Sequence, residues 1–289
     1  MSKLIASTSL RFGAWAVLAL TAWQLLPDRY MGPFQAWNPH VIMEFVITIF
    51  FISLAGKVVV HVLGAHYGLL LTGLMGGFAS STATIHTMGT VATSRPELAD
   101  RAALGGVFSN IATLVQLAVL LQLLAPQLLV LFIQPLCFGT VGLCAYTLWV
   151  LAKTPVAATS RVVSNDVHLF DWRGLLTLTA VVCGVSYVSA ALNVAYGQSG
   201  LWVGAAVSGL VDAHAIVQTV ASLLTQAQLQ PDAALMPLLI ALSTNTLTKS
   251  LIAFQSGGWT YARQVSGGVW LTTVAVWLGY IAEGAGFGF

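Results

Sequence analysis

Nine apolar stretches of roughly membrane-spanning length alternate with short polar, glycine- or proline-containing segments. They run over residues 11–26, 41–63, 68–90, 102–124, 128–152, 173–193, 200–225, 233–255 and 265–286. A transmembrane helix needs about 20 mostly apolar residues, so the pattern predicts an all-α, polytopic transmembrane helical bundle of about nine spans. The first stretch ends without a small-residue cleavage site, and we expect it to stay in the mature chain.

Composition reinforces this prediction. Hydrophobic residues make up 57% of the 289-residue chain and charged residues only 7%, whereas a soluble domain carries about 25% charged residues. The chain therefore cannot cover a water-exposed surface, and a soluble enzyme is excluded. Its net charge of +2 is too small and too scattered for a nucleic-acid partner. The expected partner is the lipid bilayer.

An internal repeat organises the predicted spans. The run Gly73-Leu74-Met75-Gly76 returns 136 positions later as Gly209-Leu210-Val211-Asp212, and Asn110 returns 135 positions later as Asn245. We predict a duplicated four-segment unit. Its repeats are parallel if all four segments cross the membrane, and inverted if one is broken or re-entrant. The predicted divisions are an N-terminal helix with a polar connection, a first repeat, a polar loop and a second repeat, at residues 1–40, 41–152, 153–172 and 173–289.

Positive charges near the span ends give a predicted orientation. With nine spans, six Lys and Arg residues share one side, and Lys3, Arg11 and Arg263 share the other. This count places the amino terminus outside and the carboxyl terminus in the cytoplasm of a bacterial inner membrane.

Two charged residues lie in the middle of predicted spans, where a charge costs about 2.5–3.5 kcal/mol to insert. Asp212 is the candidate cation ligand or proton carrier, and Lys249 is its candidate partner. Asn245 shares a helix face with Lys249 because the two are four residues apart. The alternative is a buried Asp212–Lys249 bridge that clamps two helices, and both interpretations stay open.

A stretch of small and hydroxylated residues, 73–84, occupies one predicted span. Its small-xxx-small spacing permits close helix packing, but its hydroxyls exceed that need, and such a segment can break beside a polar cavity. Ser109, Thr113 and Gln116 fall on one face of the next span. The candidate substrate or ion pathway is Asp212, Lys249, Asn245, Asn110, Ser80, Ser81, Thr82, Thr84, Gln218 and Thr244.

Two histidines lie on corresponding helices of the proposed repeats. His86 and His214, with Asp212, are candidate metal ligands or titratable gates, although each is also typical of a satisfied interior histidine. The spacings of metalloprotease, serine-hydrolase and P-loop motifs are absent, so we predict that the protein is not an enzyme. The sequence identifies no cofactor with certainty, and a divalent metal ion is a candidate substrate.

Several blocks together resemble a known family. They are Leu26-Pro27-Asp28, Gly64-Ala65-His66-Tyr67-Gly68, Gly73-Leu74-Met75-Gly76-Gly77, Ser80-Ser81-Thr82-Ala83, Gly209-Leu210-Val211-Asp212, Ser243-Thr244-Asn245-Thr246-Leu247-Thr248-Lys249 and Gly257-Gly258. The chain resembles the membrane domain of unknown function that often follows the MgtC portion in MgtC/SapB-family proteins, here without that portion. The resemblance implies transport of magnesium or another divalent cation. His214 and Gln116 stand where the family tends to show Asp and Arg, which weakens the case for a hard cation.

These observations predict an integral membrane transporter of a small ion or solute, most simply a cation, whose site lies between the two repeats near the bilayer midplane. The alternatives are an ion channel with a polar pore and a non-transporting structural or regulatory membrane module. The glycine-rich helices leave homo-oligomerisation open.

Overall fold

The computed structural model describes residues 20–153 and 172–284. The predicted first span, 11–26, lies largely outside the described residues, as does most of the predicted polar loop, 153–172. We number the helices α1 to α7 in chain order. They are α1 (Pro39–Ser94), α2 (Ala99–Leu124), α3 (Pro126–Lys153), α4 (Trp172–Tyr196), α5 (Gln198–Val211), α6 (Ala215–Thr225) and α7 (Pro231–Gly284).

The described part of the chain is helical, and its only β feature is a single bridge between Met31 and Trp37. Six helical segments in this part are long and apolar enough to cross a membrane, and two of them belong to α1. Helix α7 has 54 residues with non-helical backbone at Gly258, so it comprises two segments, α7a (231–257) and α7b (259–284). The bounds of eight of the nine predicted apolar stretches thus agree with the observed helical stretches to within a few residues. By its long apolar helices and its composition, the protein is a multi-pass membrane protein.

Helix α1 is interrupted twice, at Gly68 and at Ser80, which divides it into α1a (39–67), α1b (68–79) and α1c (81–94). The second interruption reverses the chain. A Cβ atom on Gly76 would lie 2.8 Å from Thr84 Oγ1, although eight residues of continuous helix rise about 12 Å. Segments α1b and α1c therefore fold back on each other, and we call them hairpin 1.

Helices α5 and α6 make a second reversal, at residues 212–214. Gly204 of α5 packs against Ser189 of α4, and Thr219 of α6 is hydrogen-bonded to Ser186, only three positions away on α4. Fifteen residues of continuous helix would rise about 22 Å, so the chain turns back between these contacts. We call α5 and α6 hairpin 2.

Hydrogen bonds at the ends of the helices show which ends lie together. Gln226, just after α6, donates to the carbonyl oxygen of Gln35, just before α1; we call this end of the bundle face A. At the other end, face B, Gln264 near the start of α7b donates to Asp100 at the start of α2. Hairpin 1 enters the bundle from face B and hairpin 2 from face A, and their tips meet in the interior.

Two apolar clusters fill the bundle. The larger joins α1a, α2, α3 and α4 to hairpin 2 and α7 through residues such as Phe45, Phe132 and Ile216. The smaller surrounds hairpin 1 at face B and includes Ile85, Val107 and Val265. The polar hairpin tips lie between these clusters, which is where the candidate site forms.

Candidate functional site

A cavity of about 260 Å³ lies where the two hairpin tips meet. Hairpin 1 contributes residues 79–82 and hairpin 2 contributes residues 211–214. Six of the residues predicted for the site from sequence line this cavity, namely Ser80, Ser81, Thr82, Asp212, His214 and Asn245. The remaining lining side chains include Ile49, Ser53 and Gln116. The fold therefore brings hydroxyl, amide, carboxylate and imidazole groups from α1a, hairpin 1, α2, hairpin 2 and α7a to one point.

Side chains from neighbouring helices satisfy the backbone of the hairpin 1 tip. The amide of Gln116 on α2 donates to the carbonyl oxygen of Phe78 at 3.2 Å, and the Ser53 hydroxyl on α1a donates to that of Ala79 at 3.5 Å. The Ser80 hydroxyl accepts from the backbone N–H of Ala83 at 3.2 Å, as in a helix N-cap. A broken helix is tolerated at membrane depth because such partners replace the lost helical hydrogen bonds.

The hairpin 2 tip is satisfied in the same way from α7a. Asn245 Nδ2 donates to the Gly209 carbonyl oxygen at 3.2 Å, and Thr248 Oγ1 donates to that of Leu210 at 3.0 Å. Gly209 is needed here because a Cβ atom would lie 2.1 Å from the Ala241 carbonyl oxygen. The final turn of α5 is therefore fixed tightly against α7a.

Asp212 and His214 form an ion pair at the hairpin 2 tip. Asp212 Oδ1 accepts from the backbone N–H of His214 at 2.6 Å and lies 2.7 Å from its Nδ1. The other ring nitrogen, Nε2, lies 3.4 Å from the carbonyl oxygen of Thr113 on α2. A carboxylate and a carbonyl oxygen only accept hydrogen bonds, so both ring nitrogens of His214 face acceptors.

Lys249 is buried, with 1% of its surface exposed, and has neutral partners. Its Nζ donates to Asn110 Oδ1 at 2.6 Å and to Thr113 Oγ1 at 3.0 Å. No ion pair within 4.0 Å joins it to Asp212, for which the described residues give His214 as the partner. A direct Asp212–Lys249 bridge, one of the two interpretations of these charges, is therefore not formed. The ammonium group of Lys249 instead donates to Asn110 and Thr113 of α2.

Thr113 links Lys249 to the cavity. Besides accepting from Lys249, its hydroxyl donates to Ser81 Oγ in the cavity wall at 3.1 Å. Its carbonyl oxygen faces His214. Lys249 and Asn110 therefore lie one side chain behind the cavity rather than in its lining.

Four residues predicted for the site lie elsewhere. Gln218 faces α4, where its Oε1 accepts from Ser186, while its buried Nε2 has no hydrogen-bond partner among the described residues. Thr84 is buried beside Gly76 within hairpin 1, and the Thr244 hydroxyl is bonded to backbone carbonyls of its own helix. His86 has an exposed side chain on α1c and does not line the cavity.

The geometry of the cavity provides few ligands for a metal ion. Asp212 and His214 are adjacent, but the described residues contain no group of three or more His, Cys, Asp or Glu side chains able to hold one. Oxygen ligands beyond Asp212 would have to be hydroxyls and amides.

Two residues at the site carry little signal in the sequence. The sequence indicates Thr113 only as part of a polar face of α2, although it contacts Lys249, Ser81 and His214. Ser53 was not identified, because one serine in an apolar span carries no signal of its own. Ser186, 133 positions later, contacts hairpin 2 through the side chains of Gln218 and Thr219.

The comparison with protein families gives one match. Residues 47–257, most of the chain and both hairpins, match the model of a domain of unknown function, DUF4010, and the chain belongs to this family. This family assignment does not extend to the MgtC/SapB resemblance. No curated protein and no solved structure matches the chain.

Proposed function

We propose that this protein is a membrane transporter that moves a small ion or solute through the cavity between the two hairpin tips. One observation carries the proposal: two broken helices, inserted from opposite faces, end at a shared polar cavity. Broken helices whose ends surround a site near the membrane midplane are typical of secondary transporters. A bundle that only needed to pack would have no reason to hold unwound backbone and polar groups there.

The order of segments supports an inverted duplication as part of this proposal. The first unit is α1a, hairpin 1, α2 and α3, and the second is α4, hairpin 2, α7a and α7b. In the first unit the hairpin enters from face B, and in the second it enters from face A. Units of opposite direction around one site permit alternating access by related movements of the two halves.

The hairpins also change the proposed number of crossings. Of the nine predicted spans, 68–90 and 200–225 correspond to the hairpins, each of which enters and leaves by one face. We propose that the remaining predicted stretches cross the membrane, including the first one at 11–26. The total is seven crossings and two re-entrant hairpins.

This topology reverses the orientation expected from nine full crossings. Face B carries Arg95, Arg101, Lys153, Arg173 and Arg263, whereas face A carries Arg29. Because Lys and Arg accumulate on the cytoplasmic side, we propose that face B is cytoplasmic. Hairpin 1 then enters from the cytoplasm, hairpin 2 from the outside, and the carboxyl terminus lies outside the cytoplasm.

Thiol labelling tests the transport proposal without knowledge of the substrate. In a background lacking Cys137, Cys144 and Cys183, we introduce Ser80→Cys or Ala213→Cys and treat spheroplasts and inside-out vesicles with a charged maleimide. We expect both tip cysteines to react from each side of the membrane, because alternating access exposes the cavity to both. Ala112→Cys, at a fully buried position on α2, is the unreactive control.

Two other outcomes contradict the proposal. If the tip cysteines are as inert as Ala112→Cys, the interior is dry and the protein is a structural membrane module. If reconstituted protein gives a steady electrical conductance, the cavity belongs to a channel. A Lys153→Cys variant, labelled only in inside-out vesicles, reports the orientation independently.

A further inference from the structure

The charges around the cavity are unequal. Among the described residues, Asp212 is the only acidic one that lines it, and the Oδ1 atom of this carboxylate already accepts two hydrogen bonds from His214. The negative charge is therefore opposed by the imidazole beside it before any ligand enters. A cation in the cavity would have to compete with this ring for the same carboxylate.

Lys249 is a second basic group near the cavity, and among the described residues no carboxylate lies within 4.0 Å of its Nζ. Its ammonium group is held by the neutral oxygens of Asn110 and Thr113, and burial removes it from water. An ionised group inside the membrane is costly unless an opposite charge or a polar cavity compensates it. The Thr113 hydroxyl connects this ammonium group to Ser81 at the cavity wall. A negatively charged ligand in the cavity can therefore compensate the charge of Lys249.

The hairpin 1 tip presents hydrogen-bond donors to the same space. Segment α1c begins with Ser81 and Thr82, whose hydroxyls can donate, and it has no acidic residue in its first turn. The first N–H groups of a helix have no partner within the helix and carry a partial positive charge, although at this tip the Ala83 N–H already donates to Ser80 Oγ. The Ser81 and Thr82 hydroxyls line the cavity and can donate to a ligand there.

The carbonyl oxygens that would favour a cation are occupied instead. At hairpin 1, Phe78 and Ala79 accept from side chains of α2 and α1a. At hairpin 2, Gly209 and Leu210 accept from side chains of α7a. Side chains of neighbouring helices therefore already donate to backbone carbonyl oxygens at both tips.

We propose that the cavity binds a small anion, either inorganic or the carboxylate of a small organic solute. This inference rests on the proposed transport function and names its substrate class. The anion is held by the Ser81 and Thr82 hydroxyls at the start of α1c, and Lys249 compensates its charge through Thr113. A volume of about 260 Å³ is below the usual range for ligand pockets of about 300–1,000 Å³, which favours a small anion over a large one.

Thermal unfolding of the purified full-length protein in detergent tests this proposal. The probes are sodium acetate, nitrate, phosphate and succinate, with sodium gluconate as background, and the gluconate salts of Mg²⁺, Mn²⁺ and Zn²⁺. A ligand of the folded state raises the unfolding temperature, and near saturation we expect a shift of about 5 °C with at least one anion. Lys249→Met should abolish this shift. Lys153→Met is the matched control and should retain it, since Lys153 is exposed and lies over the Trp149 ring.

Asp212→Asn distinguishes the two kinds of ligand even if Lys249→Met fails to fold. Removing a negative charge from the cavity should keep or enlarge the response to the anion, whereas a cation site would lose its ligand. A response to Mg²⁺, Mn²⁺ or Zn²⁺ that disappears in Asp212→Asn, with none to the anions, overturns the proposal. A wild-type protein that responds to none of these salts also overturns it. Thiol labelling at the tips decides separately whether transport itself stands.

Discussion

Hairpins 1 and 2 share a backbone design and differ in chemistry. In each, the first half packs tightly on the long helix that follows, through Gly73 against Gly105 and through Gly209 against Ala241. The tips differ, because hairpin 1 turns at a single neutral residue, Ser80, and hairpin 2 turns at three residues that include an ion pair. A tightly packed glycine thus fixes the position of each hairpin, and the tips present different chemical groups.

The second halves of the hairpins also differ. Segment α1c is held at face B by apolar packing and by the Tyr261 hydroxyl, which donates to the Ile85 carbonyl oxygen at 2.6 Å. Helix α6 instead meets α4 through Ser186, Gln218 and Thr219, and the buried Gln218 Nε2 has no partner. Polar contacts that water can replace suggest that α6 separates from its neighbours more readily than α1c does.

The glycine contacts should give the largest effects. A Cβ atom on Gly73 or Gly209 would lie 2.1 Å from a backbone carbonyl oxygen, and a backbone cannot move aside as a side chain can. We expect Gly73→Ala and Gly209→Ala each to lower the free energy of unfolding by about 3 kcal/mol, measured by thermal unfolding in detergent.

Gly184→Ala is the matched control for these two variants. A Cβ atom there meets nothing within 4 Å, so the change should be neutral or stabilise α4 by up to about 1 kcal/mol. If one of the first two variants is as stable as wild type, the hairpins are not packed equivalently.

Substitutions at the hairpin tips should have the next largest effects on the free energy of unfolding, and the effect should be larger at hairpin 2. Asp212→Ala removes two hydrogen bonds to His214, one of them an ion pair, and should cost about 2–3 kcal/mol of unfolding free energy. Ser80→Ala removes one N-cap hydrogen bond and should cost about 1 kcal/mol. The same unfolding measurement applies, and equal losses would remove the distinction between a charged and a neutral tip.

Substitutions in the second halves of the hairpins, α1c and α6, and in their contacts should have the smallest effects on the free energy of unfolding. Tyr261→Phe leaves the buried Ile85 carbonyl oxygen without its side-chain donor, and we expect a loss of about 1–2 kcal/mol. Gln218→Met removes the acceptor of the Ser186 hydroxyl but also an amide Nε2 that has no partner among the described residues. These two effects oppose each other, so we expect a net loss of less than about 1 kcal/mol. Hydrogen exchange of α1c and α6 gives the local readout, and faster exchange in α1c than in α6 of the wild type would contradict the comparison.

Much of the fold was predictable because the membrane imposes strong rules on sequence. Apolar length and polar punctuation predicted the helical stretches, and hydroxyls in excess of packing needs indicated that 73–84 can break. The mid-span positions of Asp212 and Asn245 marked them as site residues, since lipid tolerates such groups only beside a polar partner or cavity.

Other features depend on contacts between distant segments. A broken helix has the same composition whether it continues across the membrane or turns back, and only the contact of Gly76 with Thr84 decides this for hairpin 1. The partner of Lys249 could not be read from charge alone, because two neutral oxygens of α2 lie closer to it than the expected carboxylate.

The sequence by itself determined the solvent of this protein, its helices and most of the polar groups that matter, because these follow from local hydrophobicity. The tertiary structure decided the direction of the two hairpins, and with it which polar groups share a cavity. It also separated Gln218 and His86 from that cavity. These features depend on long-range packing, that is, on how closely two backbones can approach each other. The sequence of a single segment does not reveal them.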